Sequence, residues 1–352
     1  MGDKKALLVL LLLVSVVFVV FSRIEVVKAD QKTIVVPDDY GSIQEAIDYA
    51  SEGDTIYVKE GTYHENLVIN KSLSLIGEDV DTTIIDGNPP EGYRIPIKIQ
   101  CDSVSVSRFK LLYGYAGITV GEVKHCNISG NRIAGGQHGI LLVSTSYSNI
   151  TENYFELIGL SSAIQLSYSN NNLVTGNYID SCTEGIQIWL GSCNNTVTGN
   201  TITNCDDVAI NFQYSDYNLI TGNDVSNSGI GTSIYVSNNN TITNNNYVNN
   251  TVQFSAGEWY ALTFGYNVSV NNINENYWND YNGTDSDGDG IGNTPYIIDE
   301  NNQDNNPILT PIEIEAIPEF PSWIILPLLI TATLLIIICK QKLPKTPSQQ
   351  SY

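Results

Sequence analysis

A short alternation of apolar and polar residues recurs along the chain at nearly constant spacing. It reads GITV, GILLV, AIQLS, GIQIW, AINFQ and SIYVS, starting at residues 117, 139, 163, 185, 209 and 233. Because side chains of a β-strand point alternately to its two faces, each segment predicts a strand with one apolar face. That face carries two columns: Ile118, Ile140, Ile164, Ile186, Ile210 and Ile234, then Val120, Leu142, Leu166, Ile188, Phe212 and Val236.

A second, polar phrase keeps the same spacing. It reads CNISGN, SNITEN, NLVTGN, NTVTGN, NLITGN and NTITNN, and each copy ends in an asparagine. The steps of 22 to 24 residues are too short for helix-containing repeats, and the pattern of a leucine-rich repeat is missing. The sequence therefore predicts an all-β fold, a right-handed single-stranded parallel β-helix in which each coil adds about 4.8 Å.

The recurring asparagines are predicted to be architectural. Where strands bend, the amide of one asparagine can donate to the equivalent residue one coil away, which satisfies turn groups that no strand reaches. The predicted Asn ladder consists of Asn131, Asn153, Asn177, Asn200, Asn223 and Asn245.

Both ends of the chain are apolar. At the N-terminus, Lys4 and Lys5 precede the apolar run 6–21, which is the layout of a secretory signal peptide. At the C-terminus, the apolar segment 323–339 has the minimum length of a transmembrane helix and is followed by lysines. This predicts export, with a cell-surface anchor at the C-terminus; the Asn-x-Ser/Thr sites, such as Asn127, are then possible glycosylation sites. The predicted divisions are 1–29 (signal peptide), 30–94 (cap and first coils), 95–270 (repeats), 271–312 (C-terminal cap), 313–322 (linker), 323–339 (transmembrane helix) and 340–352 (basic cytoplasmic tail).

The N-terminal segment TIVVPDDYGSIQEAIDYASEGDTIYVKEGTYHENLVINKSLSLIGEDVDTTIIDGN (33–88) has one amphipathic helix, about 42–50, followed by short strands. It resembles the entry to a pectin-lyase-like β-helix, where a helix covers the open end of the core. Residues 33–312 resemble the NosD-like family, whose repeats belong to the carbohydrate-binding and sugar-hydrolase (CASH) group. NYWNDYNGTDSDGDGIGNTPYIIDENNQDNNP (276–307) is similar to the close of archaeal members, and PEF (318–320) with its helix is similar to archaeal sorting signals.

Charge narrows the possible partners. The net charge of −22 disfavours nucleic acid and suits cations or neutral ligands. In TDSDGDGIG, Asp285, Asp287 and Asp289 alternate before Gly290, and the Ile291 carbonyl occupies the seventh position of an EF-hand-like loop. We expect a structural Ca²⁺ site here. Tyr296 stands at position twelve instead of Glu, so Asp299 or Asp304 is the candidate for closing it.

The outward positions of the predicted strands suggest a ligand. Amides and an aromatic ring along a flat sheet suit a neutral polysaccharide or envelope glycan, through hydrogen bonds and ring stacking. An ordinary hydrophilic strand face remains the alternative. The candidate carbohydrate-binding residues are Gln165, Gln187, Trp189, Asn211, Gln213 and Tyr235.

A polysaccharide-cleaving or epimerising enzyme is the second hypothesis. Its candidate carboxylates are Asp206 and Asp207, with Asp180 and Glu184 one coil earlier. The only HG pair, at His138, precedes this double Asp, whereas polygalacturonase-like hydrolases have the reverse order. A solvated turn accounts for the pair better than a catalytic site, and no catalytic residue is assigned.

The family resemblance also implies a third hypothesis, copper-related maturation. One Met and three scattered His offer no cluster of soft ligands. Cys182 and Cys205 occupy matching positions in adjacent coils, which predicts either a disulfide or two buried thiols.

Overall fold

The computed structural model describes residues 31–87, 95–112, 114–257 and 269–314. They form a parallel β-solenoid in which each complete coil contributes one strand to each of three sheets, so the all-β prediction is confirmed. The predicted signal peptide and transmembrane helix lie outside these residues. Within the described ranges no helix combines the length and the apolar character needed to cross a membrane.

The strands are numbered in chain order. The first eleven are β1 (Thr33–Val36), β2 (Thr55–Val58), β3 (Gly61–Tyr63), β4 (Leu67–Ile69), β5 (Ser74–Gly77), β6 (Thr83–Asp86), β7 (Ile97–Ile99), β8 (Ser105–Ser107), β9 (Lys110–Leu112), β10 (Ala116–Gly121) and β11 (Asn127–Ser129). The next eleven are β12 (Arg132–Ala134), β13 (His138–Val143), β14 (Asn149–Thr151), β15 (Tyr154–Glu156), β16 (Ser162–Ser167), β17 (Leu173–Thr175), β18 (Tyr178–Asp180), β19 (Glu184–Trp189), β20 (Thr196–Thr198), β21 (Thr201–Thr203) and β22 (Val208–Gln213). The last ten are β23 (Leu219–Thr221), β24 (Asp224–Ser226), β25 (Ile230–Tyr235), β26 (Thr241–Thr243), β27 (Asn246–Val248), β28 (Val252–Ser255), β29 (Asn272–Asn274), β30 (Tyr277–Trp278), β31 (Tyr296–Ile297) and β32 (Gln303–Asp304).

These strands stack into three sheets along one axis. The first sheet runs β1-β2-β5-β8-β11-β14-β17-β20-β23-β26-β29-β32-β31, and its last pair is antiparallel. The second runs β3-β6-β9-β12-β15-β18-β21-β24-β27-β30, and the third runs β4-β7-β10-β13-β16-β19-β22-β25-β28. Their inward side chains, almost all Ile, Leu, Val and Phe, form one continuous core.

A short helix covers the N-terminal end of the core. α1 (Ile43–Tyr49) begins after Ser42, whose hydroxyl accepts from the Glu45 N–H as an N-cap. Its apolar stripe, Ile43, Ala46 and Ile47, is buried on the first coils. The helix therefore closes an end that would otherwise expose the core, as the sequence predicted.

The third sheet approaches the second closely, and small residues mark the point of approach. A Cβ on Gly139 would lie 2.6 Å from Phe155 Cδ1 and 2.3 Å from the Ala163 carbonyl oxygen. Because little space remains there, the equivalent position is Gly or Ala in six consecutive coils. This row consists of Gly117, Gly139, Ala163, Gly185, Ala209 and Gly231.

The predicted register is wrong in β25. Thr232, not Ile234, pairs with Ile210, and Ile234 pairs with Phe212, so the strand is shifted by two residues. A two-residue shift keeps every side chain on its face, so alternation cannot detect it. Thr232 is tolerated in the core because its hydroxyl lies 2.9 Å from the Tyr247 hydroxyl.

Asparagine amides connect the coils at the bend between the first and second sheets. In each step, the backbone N–H and Nδ2 of one Asn donate to the Oδ1 of the next, as from Asn177 to Asn200 at 2.9 Å. The ladder contains the six expected residues and extends through Asn276 to the buried carboxylate of Asp304. All of its bonds between asparagines therefore run towards the C-terminal end, while each Nδ2 also donates to a backbone carbonyl of the preceding coil.

A second ladder, which was not predicted, lies at the bend before the first sheet. It also ends in a carboxylate, because Asn302 donates to Asp299. Its asparagines are Asn172, Asn195, Asn218, Asn240, Asn271 and Asn302. A row of serine hydroxyls accepts from backbone N–H groups nearby, from Ser169 to Ser269.

The two stacked cysteines are free, buried thiols in this structure, and the disulfide between them stays a prediction. Neighbouring strands are about 4.8 Å apart, which lies within the Cα separation of about 4.4–6.8 Å that a disulfide spans. Burial raises the pKa of Cys182 and of Cys205 to about 12.

Candidate functional site

The outward face of the third sheet carries most of the polar residues singled out from the sequence. Gln187 lies between Gln165 and Asn211 in one column, and Trp189 precedes Gln213 in the next. Tyr235 belongs to the Trp189 column rather than the Gln187 column, because of the shifted register of β25. Gln187, Trp189, Gln213 and Tyr235 are partly exposed, whereas Gln165 and Asn211 are buried.

The same face holds polar atoms that are buried without a partner. Among the described side chains there are four, namely Thr119 Oγ1, His138 Nδ1, Ser162 Oγ and Gln165 Oε1. They belong to three successive strands, β10, β13 and β16. Gln165 uses its amide nitrogen on Ser167, at 3.1 Å, which leaves its oxygen unpaired. An unpaired buried polar group costs about 1–3 kcal/mol, so their concentration on one face is the signature of a site.

Position in the strand explains why His138 and Ser162 face outward. Each directly precedes a small residue, Gly139 or Ala163, that sits against the core, so the side chain before it points away. The His138 ring packs edge-on against Tyr115, with ring centroids 5.1 Å apart. Burial lowers the pKa of His138 and favours the neutral imidazole, which can either donate or accept a hydrogen bond.

Glu184 continues this face into β19. It pairs across the strands with Ser162, and Asn211 Nδ2 lies 3.4 Å from each of its carboxylate oxygens. Burial raises the pKa of Glu184, and the negative charge of Asp207 acts in the same direction. Of the proposed catalytic carboxylates, the structure thus brings Glu184 and Asp207 into electrostatic contact.

The other two carboxylates have structural surroundings. Asp206 is exposed in the turn before β22. Asp180 accepts hydrogen bonds from Asn204 Nδ2, at 2.8 Å, and from the Ser181 hydroxyl, at 3.1 Å. Neither belongs to the row of unpaired polar atoms.

The acidic loop brings Asp285, Asp287 and Asp289 together. Their carboxylate oxygens lie within 4.8 Å of one another, and in the described part of the chain no other three His, Cys, Asp or Glu residues are so grouped. Hydrogen bonds from the Gly290 and Gly288 N–H groups hold the pKa of Asp285 below its usual value. The loop is therefore folded around a compact negative centre.

The residues expected to close this loop are occupied elsewhere. Asp299 accepts from the Asn301 and Asn302 N–H groups and ends the second ladder. Asp304 is fully buried and ends the first. Neither belongs to the carboxylate group of the loop.

Sequence reasoning missed the second ladder and the unpaired polar atoms. The ladder had a visible signal, because NLVTGN, NTVTGN, NLITGN and NTITNN begin as well as end with Asn. The unpaired atoms had none, since the lack of a partner depends on which neighbouring side chains cover them. His138 was noted only as part of an HG pair.

Comparison with known proteins shows which protein family this chain matches. The family described as "Periplasmic copper-binding protein (NosD)" matches residues 47–283. A cell surface glycoprotein of Methanothermus fervidus is 35% identical over 107 residues, which make up 30% of this chain and 17% of that glycoprotein. The match thus spans about a sixth of the glycoprotein's length.

Solved structures share the fold. PfbA, a surface adhesin of Streptococcus pneumoniae, is similar with a TM-score of 0.58 and 13% identity, over 72% of this chain and 80% of that one. The A-module of the mannuronan C-5 epimerase AlgE6 of Azotobacter vinelandii has a TM-score of 0.50 and 14% identity, over 67% and 81%. At these identities the likeness concerns the β-helix and not the chemistry.

Proposed function

We propose that this chain, which belongs to the NosD family, is a non-catalytic cell-surface protein that binds neutral glycan along the outward face of its third sheet. One observation carries the proposal: the unpaired buried polar atoms of the described chain are gathered on that face. Sugar hydroxyls both donate and accept hydrogen bonds, so they match a face that carries imidazole, hydroxyl and amide groups. The likeness to a cell surface glycoprotein and a surface adhesin supports the location.

Copper does not suit the donor atoms of the described residues. The one group that could hold a metal consists of three aspartates, and oxygen ligands suit Mg²⁺, Ca²⁺ or Mn²⁺ better than copper. His64 lies beside Asp86, with Nδ1 3.3 Å from Oδ2, and His125 stacks on Tyr147. Burial raises the pKa of Cys182 and Cys205 to about 12, which disfavours the thiolate form that binds metals. The proposed function therefore includes no copper step.

Affinity electrophoresis in gels containing dextran, mannan or alginate tests glycan binding. We expect a neutral polysaccharide to retard the protein. Gln187→Ala combined with Trp189→Ala should weaken binding about tenfold, because it removes a hydrogen-bonding amide and a stacking ring. Tyr178→Ala is the matched control, since Tyr178 is an exposed aromatic residue of the second sheet. Equal retardation of the unaltered protein and the double variant would contradict the proposal.

Glycan cleavage is the second candidate, and the raised pKa of Glu184 next to Asp207 favours it. Two neighbouring carboxyl groups, one of them with a raised pKa, are the arrangement that glycosidases use as acid and base. The same incubations should be assayed for new reducing or unsaturated ends. Their appearance, and their loss in Glu184→Gln, would replace the binding proposal with an enzymatic one.

Calcium is proposed for the acidic loop, with ligands from Asp285, Asp287 and Asp289 and from the Ile291 carbonyl. Three grouped carboxylates repel one another, so a divalent cation should stabilise the fold. We expect a Kd of about 0.1–1 mM, and calcium at about ten times Kd should add about 1.4 kcal/mol to the free energy of unfolding.

Melting curves with and without calcium check this prediction. The increase in Tm should disappear in Asp287→Ala and persist in Asp206→Ala, an exposed aspartate in a distant turn. An unaltered protein whose Tm does not respond to calcium would refute the proposed site.

A further inference from the structure

The turns between the third and first sheets contain tyrosines in an unusual backbone conformation. Tyr147, Tyr168, Tyr214 and Tyr217 have φ values of 52°, 51°, 53° and 60°. This left-handed region is uncommon for residues other than glycine and is disfavoured for bulky side chains, whereas Asn tolerates it. We call these four residues the tyrosine edge.

The fold itself does not require tyrosine at these positions. Tyr147 and Tyr217 belong to a row of stacked turn residues in which other coils place His125, Asn171, Asn194 and Asn239, also with positive φ. The same turn is therefore built with asparagine in three coils, without a bulky ring in a disfavoured conformation.

Burial does not explain the tyrosines either. The exposed fractions of Tyr147, Tyr168, Tyr214 and Tyr217 are 55%, 57%, 38% and 60%. The left-handed conformation recurs in the stacked turns with other residue types, such as Ser144, Leu190 and Val236, so it belongs to the turn itself. The exposed aromatic surface is the feature that points to function.

The tyrosine edge is continuous with the outward face of the third sheet. Tyr168 and Tyr214 directly follow Ser167 and Gln213, the last residues of β16 and β22. The ring of Tyr214 meets the ring of Tyr235 edge-on, with centroids 5.2 Å apart and hydroxyl oxygens 3.3 Å apart. The face and the edge thus meet at one corner, and a ligand on the face can extend onto the edge.

Charge indicates the chemistry of the ligand. The five turns 144–148, 168–172, 190–195, 214–218 and 236–240 together contain one charged residue, Asp216, in a chain of net charge −22. An uncharged aromatic strip on a strongly acidic protein suits a neutral ligand and offers nothing to a polyanion. The apolar faces of sugar rings stack on such aromatic rings, while the hydroxyl and amide groups of Ser146 and Asn170 lie alongside to bond their hydroxyls.

We infer that the tyrosine edge is a second stacking surface for a neutral glycan, which lies along the solenoid axis and contacts Tyr168 and Tyr214. This inference rests on the proposed function. It assigns to the tyrosine edge the part of the glycan that extends beyond the sheet face.

The test uses Tyr168→Asn and Tyr214→Asn, singly and together, in the full chain. Asparagine accepts the left-handed conformation, so the Tm should stay the same or rise. For the neutral polysaccharide that retards the unaltered protein, the double variant should show at least a fivefold higher Kd. Tyr178→Asn, the same change on the second sheet, should leave the Kd unaltered.

The outcomes separate the two proposals. If no neutral polysaccharide retards the unaltered protein, the proposed function fails and this inference fails with it. If the variant of Gln187 and Trp189 loses binding while the tyrosine variants keep full affinity, the function stands and the edge is not part of the site. If the tyrosine variants change only the sedimentation of the protein, the edge is a contact between copies of this chain and the inference is overturned.

Discussion

Replacing Asn200 by Ala should lower the free energy of unfolding by about 2–4 kcal/mol, although the side chain touches no ligand. Asn200 is fully buried, and its Oδ1 accepts from both the backbone N–H and Nδ2 of Asn177. Its own amide donates to the Val174 carbonyl, the Thr198 carbonyl and Asn223 Oδ1. Removing it leaves buried groups on both sides without partners, at about 1–3 kcal/mol each.

Urea denaturation, compared with that of Asn149→Ala, measures this effect. Asn149 is an exposed asparagine of β14, so its replacement should change stability by less than about 0.5 kcal/mol. Asn200→Asp is a sharper control, because it keeps an acceptor for Asn177 but places a carboxylate oxygen against the Val174 carbonyl. If the ladder stabilises the fold, Asn200→Asp should have no higher free energy of unfolding than Asn200→Ala at neutral pH. Equal stability of Asn200→Ala and Asn149→Ala would show that the ladder contributes little.

Replacing Asp304 by Ala should cost more, about 3–5 kcal/mol, and should loosen the C-terminal coils. The carboxylate accepts from the Glu275, Asn276 and Asn306 N–H groups, from Asn276 Nδ2 and from Trp278 Nε1. Several of these donors become unpaired together when it is removed, and each unpaired buried group costs about 1–3 kcal/mol. Trp278 also depends on this anchor, since its ring is sandwiched between Tyr247 at 4.5 Å and Tyr296 at 4.4 Å.

Hydrogen exchange locates the loss. In Asp304→Ala, the amides of β29, β30 and β32 should exchange faster while those of the central coils keep their protection, because each coil of a solenoid contacts only its neighbours. Asp304→Asn should show the same effect, because one carboxylate oxygen is replaced by an NH₂ group that cannot accept from the N–H groups facing it. Glu300→Ala, an exposed acidic residue of the same region, is the control. Unchanged exchange in β29 and β30 would show that the carboxylate does not anchor this end.

The sequence was most informative where one interaction repeats. Alternation in six segments and Asn at a fixed step predicted the coils, the core columns and the first ladder. Alternation alone misplaced β25, because a slip of two residues preserves the faces, whereas the small residue Gly231 marks the true register. Matching positions also placed Cys182 and Cys205 side by side, and the structure stacks them in adjacent coils as buried thiols.

Only part of the candidate site could be predicted from the sequence. Gln187 and Trp189 follow from alternation, since it places them outward. The unpaired state of His138 and Ser162 depends on the packing of neighbouring strands, so no local pattern reports it. Similarly, nothing in the spacing of Asp299 and Asp304 reveals that the ladders, rather than the acidic loop, use their carboxylates.

The bonds between ladder asparagines all run in one direction, so a new coil fits between two existing coils but not at either end of the solenoid. Both ladders end in a carboxylate at one end, and a helix covers the other, so neither terminus can accept another coil without losing its closure. A duplicated coil inserted between Asn177 and Asn200 would instead find a donor on one side and an acceptor on the other, and would lengthen the rod by about 4.8 Å. Gene duplication in the middle of the chain is thus the route by which relatives of different reach can arise while keeping the same two ends.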